Sequence, residues 1–214
     1  SSLGPKDSFN IATCDVSCNW FAPKAVQPDG TNTAAALDFV SARRSLGWSD
    51  LDSAFAAALV RAGPKTHVIY VGDGIVTTGD ADPVAFAKRL RQMAEEKSGA
   101  FHSVAAGSSY EPAVMKAIAA IGGGSFRRIE GADGPRSAAN QLLGEIVRPT
   151  IKDLKVSFAG FRAARVYPDE LPNLPAGLQQ IVLGRYLPES KDATGAVTVA
   201  GIQDGKPVEF RAPV

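Results

Sequence analysis

The side chains of this sequence best placed to do chemistry are a hydroxyl, Ser49, and a carboxylate, Asp73. Both are hard oxygen donors of the kind that hold Mg²⁺ or Ca²⁺, and a carboxylate at a strand end can also act as acid, base or metal ligand in a hydrolysis. The stretch from Gly47 to Gly79 brings them together. Leu51, Ala54, Phe55, Ala58, Leu59 and Ala62 recur at helical spacing and predict a helix with one buried face. Ser49 stands at its N-cap position, with Asp52 three residues on, and Gly63-Pro64 ends it. His67 to Val71 then runs apolar without alternation, as a parallel strand covered on both faces does, and stops at Gly72-Asp73-Gly74. A hydroxyl ahead of a helix and a carboxylate behind the next strand meet at the carboxyl edge of a sheet, where open α/β folds place their ligands.

Other candidates carry less. Asp80 and Asp82 could join Asp73 around a metal but read better as a loop residue and a helix cap. Asp15-Val16-Ser17-Cys18-Asn19 mimics a D-x-S-x-S metal loop. Such a loop should feed a helix, whereas Asn19 to Pro23 continues extended, so the segment reads as a strand end. Phe9 to Val16 reads as a strand, and Cys14 and Cys18 are taken as i and i+4 of one extended segment. That would part their Cα atoms by ~13 Å, beyond disulfide reach, and leave two small buried hydrophobes. His67 and His102 open strands without Cys, Asp or Glu at ligand spacing and read as structural. Gly122-Gly123-Gly124 lacks the strand-then-helix setting of a phosphate cradle and reads as a flexible connector. There is no nucleophile elbow and no cofactor fingerprint.

Composition narrows the classes. The 214 residues, 45% hydrophobic and 21% charged, suffice for a buried core and for one or two domains. Twenty-three basic against 22 acidic residues leave +1, with no basic run, so nucleic acid has no electrostatic footprint here. No window approaches the roughly 18 continuous apolar residues of a membrane span.

Around the central stretch, helices are expected over Thr33 to Leu46, from Asp82-Pro83 to Gly99, over Glu111 to Ile121 and over Pro135 to Val147. Strands are expected over Phe101 to Ala106 and Ser125 to Glu130. After Arg148-Pro149 the alternation ends. Ile151 to Phe158, Val166-Tyr167, Ile181 to Leu183, Val197 to Val199 and Val208 to Phe210 are short β runs, with Asp204-Gly205 as a hairpin signal. Residues 1–148 therefore read as an α/β domain and 149–214 as an all-β segment, a partial sandwich too lean for the usual ~100 residues.

Taken together, Asp7 to Ile11, Gly47-Trp48-Ser49-Asp50-Leu51, Val68 to Gly74 and Gly122 to Phe126 resemble a von Willebrand factor type A domain, from its second strand onward. Val166-Tyr167-Pro168, Leu171-Pro172, Leu174, Gly177 and Leu183-Gly184-Arg185-Tyr186 resemble the β segment that follows it in inter-alpha-trypsin inhibitor heavy chains and their bacterial relatives. The resemblance implies a Rossmann-like open sheet with helices on both faces, lacking the family's first strand, plus the C-terminal partial β-sandwich. It implies a metal-ion-dependent adhesion site in which Ser49 takes the place of a Thr and Asp73 that of the Asp. The D-x-S-x-S loop of that site has no counterpart here.

The expectation is therefore a non-enzymatic protein-binding module for adhesion or scaffolding, with an incomplete metal site and the character of a fragment. Mg²⁺, or Mn²⁺ or Ca²⁺, would bind weakly or not at all, since one hydroxyl and one carboxylate make a poor octahedral cage. The partner implied is a protein presenting an acidic side chain. Another chain could also complete the sheet, because loss of a central strand leaves ladder groups unpaired. An extracellular, cell-surface or periplasmic setting follows from the resemblance alone. Two alternatives stand beside it: a purely structural domain, and a metal-assisted α/β hydrolase using Asp73.

Overall fold

A computed structural model of the chain describes residues 3–44, 47, 49–94, 99–129, 134–146, 148–169, 171, 173–187, 194–203 and 205–214. Ser45, Leu46, Trp48, Glu130, Val147, Pro172 and Asp204, all used in the sequence reading, lie outside them.

The helix expected after Ser49 forms as α2, Leu51–Arg61, and buries Leu51, Phe55 and Leu59, three residues of its predicted apolar face. Beside it, α3 (Pro83–Ala94) buries Phe86, Leu90 and Ala94, and α4 (Pro112–Ala120) buries Val114 and Ile118. These residues form one core cluster with Phe101, against which Val68 and Tyr70 pack. Phe55 is at its centre, with ring centroids 5.7 to 6.1 Å from Tyr70, Phe86 and Phe101. Burying a side chain such as Phe86 contributes roughly 1.5–3 kcal/mol, so this cluster is the main source of cohesion.

The sheet beneath is parallel: β3 (His67–Gly72), β4 (Ala100–Ala105) and β5 (Phe126–Arg128), in that order. Register shows which residues share a face. Val68 is opposite Phe101 and faces the cluster; Ile69 is opposite His102, and Val71 is opposite Val104, which is opposite Arg127. That second face carries α5 (Pro135–Ile146), whose Glu145 and Gln141 receive Arg127. Helices thus cover both faces, as expected, but α5 sits over the β4–β5 side. Ile69 and Val71 on β3 remain 41% and 62% exposed. The unalternating run predicted a strand covered on both sides; the outer half of that cover is missing among the described residues.

The N-terminal region departs from the expected single strand. β1 (Ala12–Cys14) turns at Asp15-Val16-Ser17 and returns as β2 (Cys18–Trp20), with Cys14 directly opposite Cys18. The two cysteines form a disulfide, Cα atoms 4.1 Å apart. The separation expected for one continuous strand fails because the chain reverses between them. This hairpin is a sheet of its own; its strands do not join the β3–β4–β5 ladder. The next helix, α1, spans Gly30–Ser41 with Asp29 as N-cap. In α1 Ala36 is buried while Leu37 and Val40 are exposed, and the helix meets the hairpin side through Phe39 and Phe21, 5.8 Å apart.

Among the described residues from Thr150 onward the regular elements are all β strands. β6 (Thr150–Ala159), β8 (Leu174–Pro175), β10 (Ala196–Gln203) and β11 (Lys206–Pro213) form one antiparallel sheet in the order β11-β10-β6-β8. β7 (Arg162–Tyr167) pairs only with β9 (Leu183–Leu187). Phe158, Phe161 and Tyr186 line a cavity of about 270 Å³ with Val156 and Val199, since two strands cannot cover four. Tyr167-Pro168 is a cis peptide. The β10–β11 hairpin closes between Gln203 and Lys206 with Gly205 at φ 74°, where the sequence signalled a turn.

The triple glycine is more than a flexible connector. Gly122 has φ 59°, and a Cβ on it would overlap Gly99 O; a Cβ on Gly124 would overlap Phe101 O. These residues let the chain pass against the start of β4 at backbone distance.

Candidate functional site

Ser49 is not the cap of α2. Asp50 is: its Oδ1 accepts from Ser53 N–H at 2.9 Å and its Oδ2 from the Ser53 hydroxyl at 2.8 Å. The sequence reading placed the cap at Ser49 alone; a carboxylate serves there as well as a hydroxyl, so residue type does not favour Ser49 over Asp50. The Ser49 backbone is bonded instead to the loop after β3. Its N–H donates to Thr77 Oγ1 at 2.7 Å, and its carbonyl accepts from both Thr77 N–H and Thr78 N–H at 3.1 Å. The sequence reading singled out neither threonine. The signal available was a pair of hydroxyls in the same loop as Asp73.

Asp73 begins that loop. Its Oδ1 accepts from Ile75 N–H at 3.0 Å, and its carbonyl accepts from Glu111 N–H, 2.7 Å away at the α4 cap. Tyr70 supports the turn from below: its hydroxyl accepts from Gly74 N–H at 3.1 Å. A Cβ on Gly72 would overlap that hydroxyl, and Gly74 has φ 72°, so Gly-Asp-Gly is a geometric requirement here. Burial pushes the Tyr70 phenol above its ordinary pKa, with the Asp73 charge adding to the shift and the Gly74 bond opposing it.

A third loop reaches the same edge. Asp15 O accepts from Asp50 N–H at 3.0 Å, and Asp15 Oδ1 accepts from Ser17 N–H at 2.9 Å. The D-x-S mimic is therefore a hairpin turn, not a strand end, and it docks beside Ser49. Asp80 and Asp82 are committed elsewhere. Asp82 caps α3 through Val84 and Ala85 N–H. Asp80 accepts from Asp82 N–H and from Arg89, which hold its carboxyl below the usual range. Arg89 also grips both oxygens of Asp52, fastening α3 to α2. Neither aspartate joins Asp73.

Three loops thus converge at the carboxyl edge of a parallel sheet whose helices lie on both faces, and one of them begins with an aspartate at the strand terminus. Among the described residues no group of three or more His, Cys, Asp or Glu is placed to hold a metal ion. Fold and edge together define a Rossmann-like α/β domain. The family model of the von Willebrand factor type A domain matches residues 1–127, and the chain belongs to that family.

Human inter-alpha-trypsin inhibitor heavy chain H6 is 26% identical over 222 residues, covering 95% of this chain and 16% of the relative. Human heavy chain H4 is 20% identical, covering 93% of this chain and 22% of its own length. The chain therefore spans less than a quarter of either. Among solved structures, a von Willebrand factor type A protein from Catenulispora acidiphila covers all of this chain and 58% of its own at TM-score 0.60 and 16% identity. The human COPII-coat protein Sec24c covers 97% of this chain and 36% of its own at TM-score 0.55 and 10% identity. These two support the fold.

Proposed function

We propose that this chain is a protein-binding module for adhesion or scaffolding whose metal-ion-dependent adhesion site is incomplete within residues 1–214. The observation that carries the reading is the bonding of Ser49 to Thr77 and Thr78, which draws the Ser49 and Asp73 loops to one edge. The donor set is short for a hard cation. Ser49 and Asp73 supply a hydroxyl and one carboxylate, and Asp73 Oδ1 is already engaged by Ile75 N–H. An octahedral Mg²⁺ site wants six oxygens, so these residues do not fit a tight protein-only cage. Mg²⁺, Mn²⁺ or Ca²⁺ would gain affinity only with ligands from elsewhere, and the open position would then take an acidic side chain of a partner.

A strand from another polypeptide segment would complete the sheet. What supports this is that β1 and β3 lead into loops bonded to the same segment, Asp15 to Asp50 and Thr77 to Ser49, while their sheets are not paired with each other among the described residues. Unpaired ladder groups attract a further strand. Thr13 Oγ1 on β1 and Thr78 Oγ1 after β3 are enclosed without a hydrogen-bond partner among the described residues. Division into an α/β domain over 1–148 and a β segment over 149–214 is supported by the described helices and the parallel β3–β4–β5 sheet lying before Thr150 and only antiparallel strands after it. The Cys14–Cys18 disulfide supports an oxidising compartment: extracellular, cell-surface or periplasmic. No helix among the described residues is long and apolar enough to cross a membrane.

Isothermal titration with Mg²⁺ and Mn²⁺ tests the site. The expected result is no binding tighter than about 1 mM. Micromolar binding abolished by Asp73→Ala would overturn the incomplete-site reading.

A further inference from the structure

The antiparallel sheet ends on β11, whose outer edge meets no strand among the described residues. The partner on its inner side fixes which way its backbone groups point. Val214 and Gly195 exchange both N–H···O bonds at 2.9 Å, and the pairing then runs without a shift from Ala196↔Pro213 to Gln203↔Lys206. In an antiparallel ladder, alternate residues turn their N–H and carbonyl toward the neighbouring strand and the others turn them away. Alternation from Val214 points the groups of Lys206, Val208, Phe210 and Ala212 at β10, and those of Pro207, Glu209, Arg211 and Pro213 outward.

Pro207 and Pro213 have no N–H to offer, so the outward donors of β11 are Glu209 N–H and Arg211 N–H, bracketed by proline. Prolines so placed blunt an edge against indiscriminate pairing and leave a short window between them. The side chains in that window carry opposite charges. Both are exposed, and among the described residues neither has an ion-pair partner: the ion pairs described join Arg89 to Asp52 and Asp80, and Arg127 to Glu145. Cross-strand partners share a face, so Phe210, opposite Val199, and Ala212, opposite Val197, lie on the apolar side of the sheet with Val208, while Glu209 and Arg211 lie on the other. Phe210 is 55% exposed at this edge.

We propose that β11 is a docking edge for a second copy of this chain, the two strands running antiparallel about a two-fold axis that sets Phe210 of each copy opposite Phe210 of the other. In this register Glu209 of each copy is opposite Arg211 of the other, and each such pair exchanges both of its N–H···O bonds, so every outward N–H finds a carbonyl. Pro207 falls opposite Pro213, where neither copy has a donor to leave unpaired. Two carboxylate–guanidinium pairs then form on one face of the joined sheet. On the other, Val208 of each copy comes opposite Ala212 of the other, flanking the two Phe210 rings.

Charge selects this register over its neighbours. A shift of two residues in either direction puts Glu209 opposite its own counterpart, or Arg211 opposite its own, and like charges directly opposite are destabilising. A shift of one sets outward-facing groups against inward-facing ones and breaks the ladder. A single short edge is smaller than a standard protein interface, so the association is weak and depends on concentration.

Sedimentation velocity of this chain between about 10 µM and about 1 mM tests the edge. The weight-average sedimentation coefficient should rise with concentration toward that of a dimer. Glu209→Arg and Arg211→Glu, both at exposed positions where the fold tolerates exchange, should each weaken self-association at least ~10-fold, because each sets like charges opposite one another twice. Mixed in equal amounts, the two variants should associate again, since every carboxylate then faces a guanidinium. A wild type that stays monomeric throughout, single variants that associate as well as wild type, or a mixture that associates no better than either variant alone would each overturn the proposal.

Discussion

Tyr70→Phe isolates what holds the Asp73 loop in place. The substitution removes one oxygen and with it the acceptor of Gly74 N–H, a group in a buried residue. A lost net hydrogen bond is worth about 1 kcal/mol, and a buried donor left without a partner costs about 1–3 kcal/mol, so a loss of roughly 1–2 kcal/mol is expected. With a urea slope of about 2 kcal/mol/M for a chain of this size, the midpoint falls by about 0.5–1 M without a change of slope. Gly72→Ala attacks the same contact from above, because its Cβ would overlap the Tyr70 hydroxyl, and should cost about 1–3 kcal/mol. Made together, the two should cost less than their sum by at least about 0.5 kcal/mol, since the phenyl ring retreats from the methyl. Additivity within about 0.3 kcal/mol, or a neutral Tyr70→Phe, would refute the view that this phenol supports the loop.

Three further outcomes follow from other contacts. Cys14→Ser with Cys18→Ser opens a five-residue ring, for which chain entropy gives a loss of about 2 kcal/mol; equal urea midpoints with and without reductant would contradict it. Gly124→Ala should lower soluble yield and cost about 3 kcal/mol or more, because its methyl meets the Phe101 carbonyl rather than a side chain that can turn away. Arg89→Met cuts both links to Asp52 and Asp80; with Arg89 and Asp52 about a third exposed, the loss should stay near 1 kcal/mol by thermal melting.

Periodic elements were legible in the sequence where burial dictated the pattern. Leu51, Phe55 and Leu59 had to face one core, and Phe86 with Leu90 the same one, so α2 and α3 fell where spacing put them. The hairpin at Asp15 was not legible, because Ala12-Thr13-Cys14 and Cys18-Asn19-Trp20 both read as extended and the turn between them holds neither Gly nor Pro. The cysteines were the missed signal: i and i+4 is a cross-strand pair as readily as two points on one strand. The cap of α2 was misplaced by one residue because Ser49 and Asp50 are both good caps and only the bond to Ser53 separates them. The convergence of the Ser49 and Asp73 loops was inferred from topology. Thr77, which fastens them, offers only a hydroxyl in the Asp73 loop, with no periodicity or motif to single it out.

The three bonds that hold residue 49 have a consequence for how such an edge can change over time. All are made by its own N–H and carbonyl, and none by the serine side chain. Any residue other than proline could occupy the position and still be bonded there. The chemistry displayed at this edge can therefore be exchanged, hydroxyl for amide or carboxylate, while the frame that presents it stays as it is, and Thr77 rather than Ser49 is the residue whose loss lineages should find hardest to tolerate.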